Sequence, residues 1–197
     1  MYSPRVDLAV STLLDAHGLK KRKAGRGYEA SHALAVAMIV SDYGFEEDAI
    51  IAAILHDTLE DTDLDRRVIR ATFGDLVLAI VEDVTEPPKE VSWRDRKAAY
   101  IEQLRRTPRD AGRAVASADK IHNMSRMIEG MRSQGHAYWR PFNAGPDQMT
   151  WYHQAVLNML RETWRHAILH EHSRVLADFL AATRAGLPGT SPLRTED

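Results

Sequence analysis

Residues 50–62, with the sequence IIAAILHDTLEDT, place four ionisable side chains in a stretch that reads as a buried helix. The four side chains are those of His56, Asp57, Glu60 and Asp61. A charge buried beside a core without a partner is strongly unfavourable. Helical spacing puts all four on one arc, while Ile51, Leu55 and Leu59 point the opposite way. The segment therefore predicts a helix that packs with one face and binds a cation or performs a reaction with the other.

The length and composition favour one cytoplasmic domain of ordinary size. The chain has 197 residues, which is enough to bury a core, and we expect a single domain over residues 1–185. Residues 186–197 contain glycine and proline and are predicted to be a disordered tail. The sequence has no cysteine, no apolar run near the roughly 20 residues of a membrane span, and no secretory signal at its start. The formal net charge of −2 offers no general attraction to nucleic acid.

Apolar residues recur at helical intervals along most of the chain, which predicts an all-α fold. Besides the helix through residues 50–62, helices are predicted over residues 5–17, 32–43, 65–72, 76–84, 93–106, 110–131 and 148–184. Ser31 is the expected N-cap of the second helix. The residues expected to face inward from that helix are Leu34, Ala35, Met38 and Ile39. Residues 76–84 have the β-branched content of a strand, but no partner strand is nearby, so a helix is preferred.

A basic segment lies between the first two predicted helices. It contains Lys20, Lys21, Arg22, Lys23 and Arg26. Two interpretations stand side by side: an ordinary solvated loop, or a rim that binds phosphate groups. The second is worth considering because the segment leads directly to His32.

Candidate metal ligands lie on separate predicted helices, namely His32, then His56 with Asp57, then Asp119. This order, H…HD…D, resembles the signature of the HD phosphohydrolases, whose fold is a helical bundle. Two imidazoles with two carboxylates suit a borderline or hard divalent ion such as Mn²⁺. The resemblance therefore implies a single HD domain with one metal site.

Further motifs narrow the resemblance. HDTLEDT at residues 56–62 is followed by Phe73-Gly74, by Val84-Thr85 and by ADKIHN at residues 118–123. This succession is similar to the hydrolase domain of the RelA/SpoT family and to the small alarmone hydrolases. The similarity implies Mn²⁺-dependent removal of the 3′-pyrophosphate from (p)ppGpp. Near His32 the chain departs from the family pattern, because Ala33 replaces a proline and Tyr28 lies four residues ahead of the histidine.

The same resemblance implies roles for individual residues. Glu60 and Asp61 correspond to a catalytic pair that orients or deprotonates the attacking water. Asn123 corresponds to a nucleotide contact, and Arg22 or Lys23 would hold pyrophosphate oxygens. Trp151 or Tyr152, at the start of the last helix, would stack on or cap the nucleotide.

Two other functions are compatible with the same residues. The metal site could act on another nucleotide or on NADPH, because the ligands define the reaction class more firmly than the base. A non-catalytic protein that senses a nucleotide or neutralises a toxin is the second alternative, although the intact Glu60-Asp61 pair argues against it. The expected partner is a small nucleotide rather than nucleic acid or a membrane, and the sequence leaves open whether a homo-oligomer forms. His122 is expected to be a neighbour of the metal site rather than a ligand.

Overall fold

The computed structural model describes residues 3–24, 27–88 and 90–185, which form a bundle of helices and confirm the predicted all-α class. The helices are α1 (Pro4–His17), α2 (Glu29–Asp42), α3 (Glu47–Leu55), α4 (Thr58–Asp61), α5 (Arg66–Phe73), α6 (Asp75–Val84), α7 (Trp93–Arg106), α8 (Asp110–Gln134), a 3₁₀ helix (Gly135–Trp139), α9 (Pro146–Thr163) and α10 (Ile168–Ala185). Helix α7 has the predicted bounds, and α6 confirms that residues 76–84 are helical. An isolated antiparallel bridge between Lys21 and Tyr28 closes the basic loop.

Helix α8 lies at the centre of the bundle and packs against α2, α3, α6 and α10. A glycine allows the 3₁₀ helix to approach it closely, since a Cβ built on Gly130 would lie 2.1 Å from the Tyr138 ring. The hydrophobic core that surrounds α8 extends from Ala9 in α1 to Phe179 in α10. This packing holds Asp119 of α8 at a defined distance from α2 and α3.

The prediction of one helix through residues 50–62 is wrong at its most important point. Helix α3 ends at Leu55, and the chain turns at His56 and Asp57 before the short helix α4. The Thr58 hydroxyl donates to the Leu55 carbonyl at 2.6 Å, and the His56 Nδ1 donates to the Ala53 carbonyl at 2.8 Å. These side-chain hydrogen bonds compete with the main-chain bonds that would continue the helix.

Helix α2 begins three residues earlier than predicted and buries a different face. Its N-cap is Tyr28, and Ser31 lies inside the first turn, where its hydroxyl accepts a hydrogen bond from the Tyr28 main-chain N–H at 3.2 Å. The side chain of Met38 is exposed, so the expected inward stripe is wrong at that residue, while Leu34 and Ile39 are partly buried against the core. The residues that α2 buries are Ala30, His32, Ala33, Val36, Ala37 and Val40. Alanine on several faces makes the apolar periodicity of this segment ambiguous.

The predicted helix over residues 148–184 is two helices. Helix α9 ends at Thr163, and the backbone is extended at Trp164. The indole of Trp164 stacks on the His166 ring, with centroids 4.9 Å apart and planes inclined by 5°. The sequence contains no glycine or proline in this range, so the break gives no local signal. Residues 132–147, which separate two of the predicted helices, are also partly helical.

None of the helices in residues 3–24, 27–88 and 90–185 combines the length and the apolar character that crossing a membrane requires. The described helices up to α10 share one core, in keeping with a single domain. Arg26 of the basic segment and the predicted tail over residues 186–197 lie outside the described residues. The domain boundary at residue 185 therefore stays a prediction.

Candidate active site

Three distant segments bring the four predicted metal ligands together. The Nε2 of His32, from α2, lies 3.2 Å from Oδ1 of Asp119 in α8. The Nε2 of His56, from the turn after α3, lies 3.2 Å from Oδ2 of Asp57 and 3.9 Å from Oδ1 of Asp119. Ligand atoms of His32, His56 and Asp119 all lie within 4.8 Å of one another. Asp57 approaches from the solvent side, with its Oδ2 3.5 Å from Nε2 of His32.

The imidazole rings present Nε2 to this centre because their Nδ1 atoms are occupied elsewhere. The Nδ1 of His56 donates to the Ala53 carbonyl, which fixes the proton on that nitrogen in the neutral ring. Its Nε2 is buried and has no hydrogen-bond partner among the described residues. The Nδ1 of His32 lies 2.7 Å from Nδ1 of His122. In its neutral form His56 therefore directs the Nε2 lone pair to the space between the carboxylates, and His32 presents its Nε2 to the same space.

The electrostatics of the centre require a positive charge. Burial acts to lower the pKa of His56, but the carboxylates of Asp57 and Asp119 outweigh it and raise the pKa to about 9. Burial acts to raise the pKa of both carboxyl groups, yet the facing imidazoles, together with Lys120 at Asp119, hold each pKa well below its usual value. Two carboxylates and a buried, unpartnered imidazole nitrogen are the donor set of a divalent cation. The residues fit a bound metal ion.

Asp119 is oriented by its own helix. Its Oδ2 accepts a hydrogen bond from Lys120 Nζ at 2.6 Å, and its Oδ1 accepts one from the amide nitrogen of Asn123. The Lys120 ammonium lies over the rings of Tyr100 and Tyr152, at 5.2 and 5.0 Å from the centroids. These contacts orient the carboxylate of Asp119, whose Oδ1 lies beside the Nε2 of His32.

Glu60 and Asp61, the predicted catalytic pair, lie in different surroundings. Glu60 lines the cavity that contains the four ligands, and its Oε1 accepts a hydrogen bond from the main-chain N–H of Glu86 at 2.5 Å. Burial, and then the charges of Asp57 and Glu86, raise the pKa of Glu60 to about 7. Asp61 lines a neighbouring cavity instead, where its Oδ2 lies 3.6 Å from Lys20 Nζ. Glu60 is thus the member of the pair that can accept a proton beside the ligands.

Two cavities meet at the ligand cluster. The first, of about 200 Å³, is lined by the four predicted metal ligands and extends to Trp93, Lys97 and Tyr100. The second, of about 370 Å³, lies beside the basic loop and is closed by Tyr138 and Phe142. The residues shared by both cavities are Arg22, Asp57, Asn123 and Met127. The Arg22–Asn123 pair thus lies between the two cavities and borders both of them.

The predicted substrate-binding residues are distributed over these cavities. Arg22 Nη2 donates to Asn123 Oδ1 at 2.8 Å where the cavities join, and Lys23 lines the second. Tyr152 lines the first cavity, but its ring already contacts the ammonium groups of Lys97 and Lys120. Trp151 faces Arg94, whose guanidinium lies 4.1 Å from the indole centroid.

Sequence reasoning missed three charged residues of the first cavity. They are Glu86, Lys97 and Lys120. Lys120 had a signal, since it follows Asp119 inside the ADKIHN motif. Glu86 and Lys97 lie in and after the Pro-rich loop between α6 and α7, where neither spacing nor a motif pointed to a site. His122 is a neighbour in contact with a ligand, as expected.

A comparison with known families identifies the scaffold. A family model described as an HD domain matches residues 9–144, which is more than half of the chain and includes all four ligands. The chain belongs to the HD-domain family. As an HD domain, it is expected to use a divalent metal, and the His32, His56 and Asp119 group offers a place for one.

Relatives of this HD domain include enzymes and solved structures. A protein of Aquifex aeolicus named guanosine-3′,5′-bis(diphosphate) 3′-pyrophosphohydrolase is 36% identical over 103 residues, which are 52% of this chain and 14% of that protein. This HD domain thus matches only a small part of that longer relative. A crystal structure of a Listeria monocytogenes protein is 36% identical and has a TM-score of 0.68, with coverage of 74% of this chain and 96% of that one.

A second solved structure shows the same fold at lower identity. It is the structure of a protein described as a metazoan ortholog of SpoT that hydrolyzes ppGpp and plays a role in starvation responses. It is 22% identical to this HD domain, with a TM-score of 0.74, and the alignment covers 90% of this chain and 96% of that chain. This likeness supports the helical arrangement of the HD domain over nearly its whole length.

Proposed function

We propose that this HD domain is a metal-dependent hydrolase that removes the 3′-pyrophosphate of (p)ppGpp to give GDP or GTP and pyrophosphate. The observation that carries the proposal is the position of Glu60, a partly buried carboxylate with a raised pKa that lines the same cavity as the His32, His56, Asp57 and Asp119 cluster. The names of the Aquifex and metazoan proteins support the choice of substrate. We further propose Mn²⁺ as the metal and a cytoplasmic location; a homo-oligomer stays an untested prediction.

In this proposal the four ligands hold the metal, with Asp57 on the open side of the cluster. When bound, the divalent ion supplies Lewis-acid polarisation of the scissile phosphoryl group. Glu60 accepts a proton from the attacking water, because a carboxylate with a pKa near the working pH is an effective general base. Asp61 contributes by holding Lys20 beside the second cavity, rather than by touching the water.

The two joined cavities support a binding mode for a substrate with phosphates at both ends. Asn123 and Arg22 lie where the cavities meet, and each can hydrogen-bond a ribose or phosphate oxygen there. Lys23 and the neighbouring lysines of the basic loop supply positive charge along the second cavity. Tyr152 would form a wall of the first cavity. Because the ammonium groups of Lys97 and Lys120 already contact its ring, we propose that Tyr152 caps the nucleotide with its edge.

The proposal is tested by incubating the purified protein with Mn²⁺ and a panel that contains ppGpp, pppGpp, GTP and NADPH, and by measuring pyrophosphate and phosphate separately. We expect pyrophosphate from ppGpp or pppGpp and none from the other compounds. Glu60→Gln, which keeps the shape of the side chain, should abolish most of this release. Phosphate from NADPH or from several nucleotides would favour the broader phosphatase. Tight nucleotide binding without any release would favour the sensor.

A further inference from the structure

Glu86 lies in the segment between α6 and α7, and its backbone is held on both sides. The amide nitrogen of Gln103 donates to the carbonyls of Glu82, Asp83 and Thr85 at 3.0, 2.9 and 2.9 Å. Pro87 follows Glu86 directly, and a proline restricts the conformation of the residue before it. The main-chain N–H of Glu86 is therefore presented in a fixed direction.

That N–H points at the carboxylate of Glu60. The distance from the Glu86 nitrogen to Glu60 Oε1 is 2.5 Å. Helix α4, which carries Glu60, is only four residues long, so it gives the side chain little support of its own. A hydrogen bond to Oε1 restricts the rotation of the carboxylate and leaves Oε2 to face the cavity.

The side chain of Glu86 reaches in another direction, to cations on α7 and a hydroxyl on α9. Its carboxylate is 10% exposed and accepts hydrogen bonds from Lys97 Nζ and, at 3.3 Å, from the Tyr152 hydroxyl. Arg96 Nε lies 3.3 Å from its other oxygen. Buried charged groups are held firmly when they are paired and hydrogen-bonded in this way.

We propose that Glu86 is a positioning residue, which holds Glu60 through its main-chain N–H and holds Lys97 and Tyr152 through its carboxylate. One residue thus links the proposed general base to two side chains of the cavity wall. The inference rests on the proposed hydrolase function for its effect on turnover, but the link between Glu86 and Glu60 exists independently of the substrate. Loss of the Glu86 charge releases Lys97 and Tyr152 and loosens the segment that presents the N–H.

The first test compares Glu86→Gln, Glu86→Asp and the control Glu90→Gln, which changes an exposed glutamate of the same segment. For Glu86→Gln we expect kcat for pyrophosphate release to fall by about ten-fold or more, because Glu60 is no longer held in position. KM should not rise, because the released Lys97 can still pair with the substrate. Glu86→Asp keeps the charge and should recover most of the lost kcat. Glu90→Gln should match the wild type. A purely structural role would instead lower the folded fraction and raise KM in both Glu86 variants.

The second test does not depend on turnover. Amide hydrogen exchange at Glu86 is measured in the wild type, in Glu60→Ala and in Glu90→Gln. Glu60→Ala removes the carboxylate that accepts the hydrogen bond, so exchange at Glu86 should accelerate by about ten-fold or more in this variant alone. Unchanged exchange in Glu60→Ala overturns the proposal, as does wild-type kcat in Glu86→Gln. If the wild type releases nothing from any nucleotide, the hydrolase function fails, and the exchange result alone decides whether Glu86 positions Glu60.

Discussion

The Nδ1 of His122 lies 2.7 Å from the Nδ1 of His32, so a histidine outside the ligand cluster hydrogen-bonds to one inside it. Burial, and then electrostatic repulsion from the His32 ring and Arg22, lowers the pKa of His122 to about 4. A neutral His122 can accept the proton of His32 Nδ1, which leaves the Nε2 of His32 free to bind a cation. Such outer partners orient a metal-binding histidine and increase its basicity.

His122→Ala should therefore weaken metal binding without removing a ligand. We expect the affinity for Mn²⁺ to fall by about 10- to 100-fold, as is typical for loss of an outer hydrogen-bond partner. Isothermal titration of the metal-free protein with Mn²⁺ measures the change. The control is His170→Ala, an exposed histidine on α10. Equal affinities for the wild type and His122→Ala would show that the contact does not orient His32.

The raised pKa of Glu60 predicts the acid side of the pH profile. A general base works when it is deprotonated, so kcat should fall as the pH drops through the pKa of Glu60, which is about 7 before the metal binds. A bound cation favours the carboxylate and moves this limb to lower pH. Glu60→Gln should lower kcat by about 10²- to 10⁴-fold and abolish the limb. If Glu60→Gln shows the same fall of kcat at low pH as the wild type, the ionisation that causes the fall belongs to another group.

Stability should decline in acid because His172 is buried in its neutral form. Its Nδ1 lies 2.9 Å from the Ser117 hydroxyl, and burial, then the charges of Lys120 and Arg161, lower its pKa to about 3. In the unfolded chain, His172 binds a proton with an ordinary pKa of about 6.5. The contribution of the neutral, buried His172 to the free energy of unfolding is therefore complete above that pH and is lost as the pH falls towards 3. Urea unfolding at pH 7, 6 and 5 should show a loss from this residue of about 0.7 kcal/mol between pH 7 and 6 and of about 1.2 kcal/mol between pH 6 and 5.

The matched variant for that measurement is His172→Gln, which can keep a hydrogen bond to Ser117 and does not titrate. Its unfolding free energy should depend less steeply on pH between 6 and 5 than that of the wild type, by about one proton. Parallel pH dependences would mean that His172 does not carry the effect.

The close approach of Tyr138 to α8 predicts a strong effect of a small substitution. A Cβ at position 130 would overlap the Tyr138 ring, so Gly130→Ala should destabilise the protein by about 1–3 kcal/mol despite the better helix propensity of alanine. Thermal or urea unfolding measures the loss. Glu129→Ala, an exposed change on the same helix, should leave stability nearly unchanged. A Gly130→Ala protein as stable as the wild type would indicate that the 3₁₀ helix can move away from α8.

The convergence of His32, His56 and Asp119 could be predicted because their chemistry is unusual for a core. His32, His56 and Asp119 are polar residues at positions that the surrounding apolar pattern would bury, and such residues need a shared partner. The bounds of α7 were predicted from apolar helical spacing, and the structure adds an N-cap at Ser92, whose hydroxyl accepts from the Asp95 N–H at 3.2 Å. Local signals of this kind can be read without knowing the fold.

Features that depend on tertiary contacts were not predictable. The turn at His56 rests on hydrogen bonds to carbonyls of the preceding helix, and periodicity alone favours a continuous helix there. Glu86 joins the site from a Pro-rich loop through contacts with residues 26 positions before it and 66 positions after it. No short motif encodes such distances.

The central claim is that side chains from α2, the turn after α3, and α8 bind one divalent ion. A crystal soaked in Mn²⁺ and measured at a wavelength where manganese scatters anomalously tests it directly. The account predicts one strong peak within about 2.5 Å of His32 Nε2, His56 Nε2 and carboxylate oxygens of Asp57 and Asp119, with the Glu60 carboxylate nearby. A peak bound elsewhere, or one that leaves His32 or Asp119 out of contact, would contradict the metal centre and the function built on it.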